Sequence, residues 1–451
     1  MRENGRFRSG WGSLFLAETA IPERRPAIQL QVKTILNHVQ PLAGFVYADV
    51  RMVDAAGSRE INIDVEAHGG RRGLCPQCRK PAPGYDRMPA KRRWRFVPLW
   101  GMSTWLCYQP RRVECAGHGV VVEYMPWSEG KRQVAVAMMC FLAVWARRMS
   151  WRETARVFRT SWEAVFHAVE WYVEEGLARR VLEGVRSIGI DEIHWGRGLR
   201  ADNFLTVIYQ IDAGCRRLLW VGKRRSQATL RKGLKALGPE VVKGLRYVCT
   251  DMWKPYLQVI KSEAGQALNI LDRFHIAKHL NGAVDQVRRA ETVRLRGQGG
   301  KGKKLKHMRW VLLRRGSRVQ GKARRKLKSL LASKLATGRA WMLKETFGHF
   351  WKYKSIPWAA AFLDYWCQRA ARSRLEPMIR VARMLRAHQP LLMNWFRAKG
   401  ELSSAAVEGL NNKIRVVTRR SYGLRTYRVM ELSLYHNLGC LPEPPATHRF
   451  C

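Results

Sequence analysis

"VRSIGID", residues 185–191, is a short run rich in β-branched residues that ends on a carboxylate. Alone it is only a strand with an acid at its tip; the segments downstream decide its use. "NFLTVIYQID" (203–212) and "RRLLWVGK" (216–223) read as two more strands, close enough in sequence to form a meander. "SQATLRKGLKALG" (226–238) has helical spacing, and "LRYVCTD" (245–251) is a fourth strand, again ending on an acid. A helix "WKPYLQVIKSE" (253–263), a strand "ALNILD" (267–272) and a longer helix "FHIAKHLNGAVDQVRRAE" (274–291) complete the pattern. The order is three strands, helix, strand, helix, strand, helix.

That order is the one expected of an RNase H-like α/β core, with Asp191 and Asp251 at the ends of two separate strands. Carboxylates so placed suit divalent cations, because Mg²⁺ takes hard oxygen ligands. Two such ions can activate a nucleophile and stabilise the leaving oxygen of a phosphodiester. For either residue alone, a strand-end or capping role is the plainer reading.

A third acid stands out downstream. In "SAAVEGLNNKIRVVTRRSYGLRTY" (404–427), Glu408 is the one acid among many basic residues. Val407, Leu410, Ile414 and Val417 follow 3-4-3 spacing and form an apolar stripe, while Glu408, Asn412, Arg415 and Arg419 fall on another. A helix packed by its apolar side could present Glu408 at the sheet edge, with Arg415, Arg419 and Arg420 available to DNA phosphates. A solvent-facing Glu is the alternative.

The chain as a whole is strongly basic. Lys and Arg number 82 against 35 Asp and Glu, a formal charge of +47 over 451 residues. Apolar residues still make up 46% and include 18 Trp, so cores are expected rather than a disordered tail. A folded protein of this charge points to a polyanion, nucleic acid before an acidic membrane surface. The first ten residues are polar and basic with no apolar segment and cleavage site behind them, so no leader is expected. The longest apolar run, 134–146, is too short to span a bilayer and reads as a buried helix. A cytoplasmic, nucleoid-associated location is expected, with no membrane partner. Residues 292–344 carry 18 Lys and Arg and no acid, yet keep apolar helical spacing. They read as helices with a basic, nucleic-acid-facing side.

"CPQC" supplies Cys75 and Cys78, and "CAGH" supplies Cys115 and His118. Two such turns can complete a tetrahedral structural Zn²⁺ site. Cys107 is a rival ligand, although it lies in the strand-like "TWLCYQ". Further on, "MSWRETARVFRTSWEAVFHAVEWYVEE" (149–175) begins with Ser150 and Glu153 in capping-box spacing, and Ser161 can cap a second helix. Ala155, Val157 and Phe158 would face the first helix inward; Val165, Phe166 and Val169 the second. This suits a helix-turn-helix with Arg159, Thr160, Ser161 and Trp162 at the DNA; an ordinary helical hairpin is the alternative.

At these residues the sequence resembles the ISL-three family of insertion-sequence transposases. The matching stretches are "IGIDEIHWGRG", "YVCTDMWKPYLQVIK", "ILDRFHIAKHLNGAVDQVRR" and "VEGLNNKIRVVTRRSYGLR", in that order, together with the cysteine and helix-turn-helix regions. The resemblance implies a DDE transposase in which Asp191, Asp251 and Glu408 are the catalytic acids and hold Mg²⁺ or Mn²⁺. It makes "DRFH" the family's D-x-x-H element, Asp272 and His275, which could orient DNA or simply be structural. The second zinc pair departs from the expected two cysteines, and "LSSAA" precedes Glu408 where a small residue such as Gly is often seen.

The implied organisation is an N-terminal segment (1–66), a zinc-binding module (67–127), a helix-turn-helix domain (128–183), the first part of the catalytic core (184–295), a basic helical insertion (296–400), the Glu-bearing final helix (401–440) and a tail (441–451). The implied activity is cleavage at the terminal inverted repeats and joining of 3′ ends to target DNA, with double-stranded DNA as partner and a homodimer or larger assembly at work. A transposase-derived regulator without chemistry, or a metal-dependent structure-specific nuclease, are the alternatives.

Overall fold

The computed structural model describes residues 31–55, 57–195, 201–297, 305–399, 405–421, 424 and 426–445. Residues 1–30 of the N-terminal segment, with the start of the helical "AIQLQVKTILNHV", the "GRG" at 196–198 and the last residues of the tail lie outside them. The chain divides into two compact units, residues 1–138 and 139–451.

In the first unit, α1 (Val32–Val39) precedes β1 (Phe45–Ala55), β2 (Ser58–Ala67), β3 (Gly73–Leu74), β4 (Pro81–Ala82), β5 (Gly84–Arg87), β6 (Arg92–Leu99), β7 (Met102–Tyr108), β8 (Arg111–Cys115) and β9 (Gly119–Val122). One sheet has the order β1-β2-β7-β6, a second has β5-β8-β9, and β3 pairs with β4. Phe45, Tyr108 and Trp127 meet edge to face, with centroids 4.8–5.4 Å apart. Glu123, just past β9, has a fully buried side chain. Its Oε1 accepts from Tyr108 Oη at 2.6 Å and Arg111 Nε at 2.9 Å, and its Oε2 accepts from Arg111 Nη2 at 2.7 Å. Burial works to raise its pKa, but Arg111 and Tyr108 outweigh it and the carboxyl lies below its usual range. Breaking such a pair from one side costs about 3–5 kcal/mol.

α2 (Val136–Ala146) forms where the apolar run is expected to make a buried helix. It is followed by α3 (Trp151–Val157) and α4 (Trp162–Ala178). Next come β10 (Ser187–His194), β11 (Phe204–Asp212), β12 (Cys215–Lys223), α5 (Gln227–Leu237), α6 (Pro239–Lys243), β13 (Tyr247–Thr250), α7 (Lys254–Glu263), β14 (Leu268–Leu271) and α8 (Arg273–Gly297). Each expected strand and helix of this region is present; α6, a single turn behind Gly238, is an addition. The five strands form one sheet, β12-β11-β10-β13-β14. The meander pairs antiparallel, and β10, β13 and β14 run parallel.

The sheet is covered on both faces. Ile188, Ile190 and Ile208 pack with Leu230 and Leu234 of α5 and with Tyr256 and Ile260 of α7. Because side chains alternate along a strand, Gly189 and Asp191 face the other way. There they meet α15 (Ala405–Arg420), which is followed by α16 (Tyr427–Leu438). Between α8 and α15 lie α9 (Arg309–Leu313), α10 (Gly321–Ala332), α11 (Ala336–Phe347), α12 (Ile356–Ala371), α13 (Glu376–Ala387) and α14 (Gln389–Arg397). These helices share a separate core with α8, including Leu280, Phe347, Phe350, Trp366 and Leu385. Along α10 the basic residues Lys322, Arg324, Arg325, Lys326 and Lys328 are not buried, whereas Leu327 and Leu330 are. Lys344 differs: it turns inward, donating to the carbonyls of Leu312 and Arg314 at 2.7 and 3.0 Å.

Candidate active site and metal centre

Three adjacent strands carry an aspartate at or near their C-terminal ends. Asp251 directly follows β13, and Asp272 directly follows β14. Asp191 does not end its strand, in contrast to the expectation from sequence; β10 runs on to His194 because it keeps pairing with β11 as far as His194↔Phe204. Pairing with β13, however, stops at Gly189↔Cys249. Asp191 therefore stands just beyond the last parallel rung, on the edge that opens toward Asp251.

Local backbone holds each carboxylate. Asp251 Oδ1 accepts from Trp253 N at 2.9 Å. Asp272 Oδ1 accepts from Phe274 N at 2.7 Å and so caps the start of α8. Its Oδ2 lies 3.0 Å from His275 Nδ1. That contact comes first among the forces that raise the His275 pKa; the negative fields of Asp191 and Asp251 add to it against burial. Asp191 Oδ1 accepts from Glu192 N at 2.8 Å. Burial pushes the Asp191 carboxyl up, partly offset by this N–H, His275 and Asn411.

α15 docks over β10 by a close fit. A Cβ on Gly189 would lie 2.4 Å from Val407 Cγ2, so only glycine admits the helix at this depth. Val407, Leu410, Ile414 and Val417 are all buried, and Glu408, Asn412, Arg415 and Arg419 are not, as the helical phase requires. One turn beyond Glu408, Asn411 Nδ2 donates to Asp191 Oδ2 at 2.5 Å, and its Oδ1 accepts from Tyr209 Oη at 2.7 Å. Both ends of this amide are used on the sheet. A hydrogen bond to a charged group contributes about 1.5–3 kcal/mol.

Glu192, on the opposite face from Asp191, is pushed up to about 7 by burial first and by Asp251 and Asp191 next. Arg225 answers it: Nε lies 2.7 Å from Glu192 Oε1 and Nη2 lies 3.5 Å from Asp251 Oδ2. The guanidinium also sits 4.1 Å over the Trp253 ring. A cation thus already lies against two carboxylates. The donor chemistry is that of a hard divalent ion, although Asp191, Asp251 and Glu408 do not bring three ligand oxygens within 4.8 Å of one another.

Among the described residues, one group does so: Cys75, Cys78, Cys115 and His118. Cys78 Sγ and Cys115 Sγ are 3.7 Å apart, and His118 Nδ1 is 3.5 Å from both Cys75 Sγ and Cys115 Sγ. A tetrahedral Zn²⁺ with Zn–S of about 2.3 Å and Zn–N of about 2.0–2.1 Å needs about 3.8 Å between sulfurs and about 3.6 Å from sulfur to nitrogen. Two turns produce this geometry. Arg79 N bonds back to Cys75 O, with Arg79 at φ 61°, and His118 N bonds back to Cys115 O, with Gly119 at φ 66°. His118 beside it pulls the Cys115 thiol down to about 6. Cys107 is buried in β7 and is not part of the cluster.

A family model for the transposases of the ISL3 group, described simply as "Transposase", matches residues 188–434. The chain belongs to the ISL3 family of DDE transposases. It is 27% identical over 419 residues to the transposase for insertion sequence element IS1557 of Mycobacterium tuberculosis, covering 88% of this chain and 92% of that one. It is 25% identical over 354 residues to the transposase for insertion sequence element IS1001 of Bordetella parapertussis, covering 78% and 85%.

In this ISL3-family chain the α3–α4 pair is built as expected at its caps. Ser150 Oγ accepts from Glu153 N and Ser161 Oγ from Ala164 N, at 3.2 and 3.0 Å. Arg159 takes φ 47° in the connecting turn. Val165 and Val169 are fully buried, but Val157 is exposed: α3 ends there, so its side chain has no further turn to pack under. Arg159, Ser161 and Trp162 are exposed, and the Trp162 ring stacks on Phe166 with centroids 5.4 Å apart. Arg415 bonds Asn412 and stays at the surface, and Arg419 is not buried. Arg420 turns inward, donating to the Arg147 carbonyl and to Asn437 Oδ1. α4 and α16 are joined by Arg428, which reaches Glu170 and Glu174, and by a buried Tyr172–His436 ring contact. No helix among the described residues is long and apolar enough to cross a membrane.

Sequence reasoning missed Asn411, Glu192 and Arg225. Asn411 carries a faint signal, a polar residue one turn from Glu408 on the border of the apolar stripe. Glu192 carries another, as a second acid inside a β-rich run. Arg225 carries none.

Proposed function

We propose that this chain is the transposase of a bacterial insertion sequence, which cuts the element's ends and joins its 3′ ends to target DNA. One observation carries the reading: α15, the helix bearing Glu408, is tied through Asn411 to Asp191, on the sheet whose neighbouring strand ends in Asp251. An antiparallel meander continued by two parallel strands, in the order β12-β11-β10-β13-β14, supports an RNase H-like core. The names of the relatives support the biological role.

In this reading Asp191, Asp251 and Glu408 hold Mg²⁺ or Mn²⁺, ions that supply nucleophile activation and leaving-oxygen stabilisation when bound. Asn411 fixes the Asp191 rotamer, and Arg225 keeps Asp251 and Glu192 oriented. The first reaction is attack of water on the phosphodiester at the element's end, freeing a 3′-hydroxyl and leaving the phosphate on the flank. In the second, that hydroxyl oxygen attacks a target phosphodiester and displaces its 3′ oxygen. The Cys75, Cys78, Cys115 and His118 cluster holds a structural Zn²⁺. Its module and the α3–α4 pair, through Arg159, Thr160, Ser161 and Trp162, recognise the terminal repeats. Arg415, Arg419 and the basic helices hold backbone. Two ends handled together call for a dimer or larger assembly.

The test is a reaction of the full chain with end-plus-flank DNA and a target duplex in Mg²⁺. A product joining the element's 3′ end to target DNA is expected, and it should vanish with Asp251→Asn. Cleavage without joining would favour a nuclease; end binding without cleavage would favour a regulator.

A further inference from the structure

α8 begins at the acids and leads away from them. Its first turn holds His275, which touches Asp272, and the same helix face continues through Lys278, His279, Gly282 and Gln286. These positions recur at steps of three, four and seven, so they form one stripe. A groove of about 440 Å³ runs along this stripe, closed on its far side by α13. Arg380 of α13 bridges it, donating from Nη2 to Gln286 Oε1 at 3.0 Å. The lining contains no acid; Glu376, 3.9 Å from Arg380, lies outside it. Val381 and Met384 give it an apolar floor, and a Cβ on Gly282 would meet nothing within 4 Å, so the notch is open.

We infer that this α8–α13 groove is a binding site for the sugar-phosphate backbone of one DNA strand, the strand that leaves the acids past His275. The inference rests on the DNA-processing reading above. Cations along the rim suit phosphates, an apolar floor suits deoxyribose, and the lack of Trp, Tyr or Phe in the lining argues for backbone rather than stacked bases. From His275 to Gln286 the helix advances about 16 Å at 1.5 Å per residue. Successive phosphates of a duplex strand rise about 3.4 Å along its axis but lie farther apart along the winding backbone, so this length takes about two or three of them. Lys278 and Arg380 are its main contacts, and neither belongs to the acid cluster.

The test compares the full-length protein with Lys278→Ala/Arg380→Ala in equilibrium binding, without divalent metal, to DNA carrying the element's end with and without its flank. The groove predicts about tenfold weaker binding of the flanked DNA by the double variant and a salt slope lowered by about 1.4–1.8, for two phosphate contacts. Neutral methylphosphonate linkages in the flank should weaken the wild type and leave the double variant unchanged. Lys278→Gln/Arg380→Gln, with Tm measured beside it, separates loss of contact from loss of fold. Unchanged affinity and slope in both variants overturn the groove, whatever the chemistry does. If the slope falls but wild-type protein never joins ends to target, the groove stands as a DNA site and the transposition reading fails.

Discussion

Asn411 donates its amide to Asp191 across 220 positions of sequence and fixes where the helix carrying Glu408 meets the sheet. The link adds to the Gly189–Val407 fit in holding α15 on the sheet, and a long helical segment lies between the two residues in sequence.

Asn411→Ala removes the partner of Asp191 and of Tyr209 in one step. An unsatisfied buried polar group costs about 1–3 kcal/mol. Cleavage of end DNA is expected to fall at least about tenfold, which is about 1.4 kcal/mol in barrier, with end binding kept. A single-turnover assay reads this, and an unchanged rate would show that Asp191 needs no such positioning.

Gly189→Ala forces Val407 aside. Overpacking of this kind costs about 1–3 kcal/mol, so Tm and cleavage should drop together. Val407→Ala in the same chain should restore both, because the two residues are in contact and their effects do not add. Failure of the second change to rescue would mean that the first acts elsewhere.

Asp191→Asn, Asp251→Asn and Glu408→Gln should each lower Mg²⁺-dependent cleavage by at least about a hundredfold, the scale of losing one electrostatic stabiliser. Gel-shift affinity for the ends should stay near wild type. Full activity in Glu408→Gln would falsify the three-acid assignment.

Protein purified without chelator should contain one zinc per chain, and Cys78→Ser or His118→Ala should remove it. Affinity should fall as pH drops, because protons compete for thiolate and imidazole. Metal analysis reads the content, and limited proteolysis between residues 73 and 123 reads the loss of order. Zinc retained by both variants would refute the site.

His436 is buried between α16 and its neighbours, and its pKa is held well below the usual imidazole value, by burial first and by Arg147 and Arg420 next. Above about pH 6.5 it is neutral in folded and unfolded chains alike. Below that, the unfolded chain takes up a proton that the native site resists, so stability falls by up to about 1.4 kcal/mol per pH unit. Urea titrations from pH 7.5 to 5 should show this loss, and His436→Phe should remove that part of it. Parallel curves for the two proteins would sink the assignment.

Much of the fold is legible because periodicity is local. The stripe of Val407, Leu410, Ile414 and Val417 can be seen in the sequence, and it is buried. Asp251 and Asp272 end strands whose β-branched runs stop where turn chemistry begins. Asp191 reads as a strand end for the same local reason; pairing with β11, a long-range property, carries the strand on. The Cys115–His118 turn is likewise a local signal. Asn411 is marked only by its place beside the apolar stripe, and Arg225 not at all, since an amide or a guanidinium carries no sign of a carboxylate reached only after folding. Arg420 sits in a basic run and reads as a surface residue; its carbonyl partner at Arg147 is 273 positions away.

The junction of α4 with α16, through Tyr172, His436 and Arg428, has a practical meaning for redesign. The α3–α4 pair cannot be exchanged as an independent cassette, since its second helix is half of a core whose other half comes directly after the helix of Glu408. A graft that alters where α3–α4 binds would have to carry a matching surface on α16, and selection for a new terminal sequence should return compensating changes there.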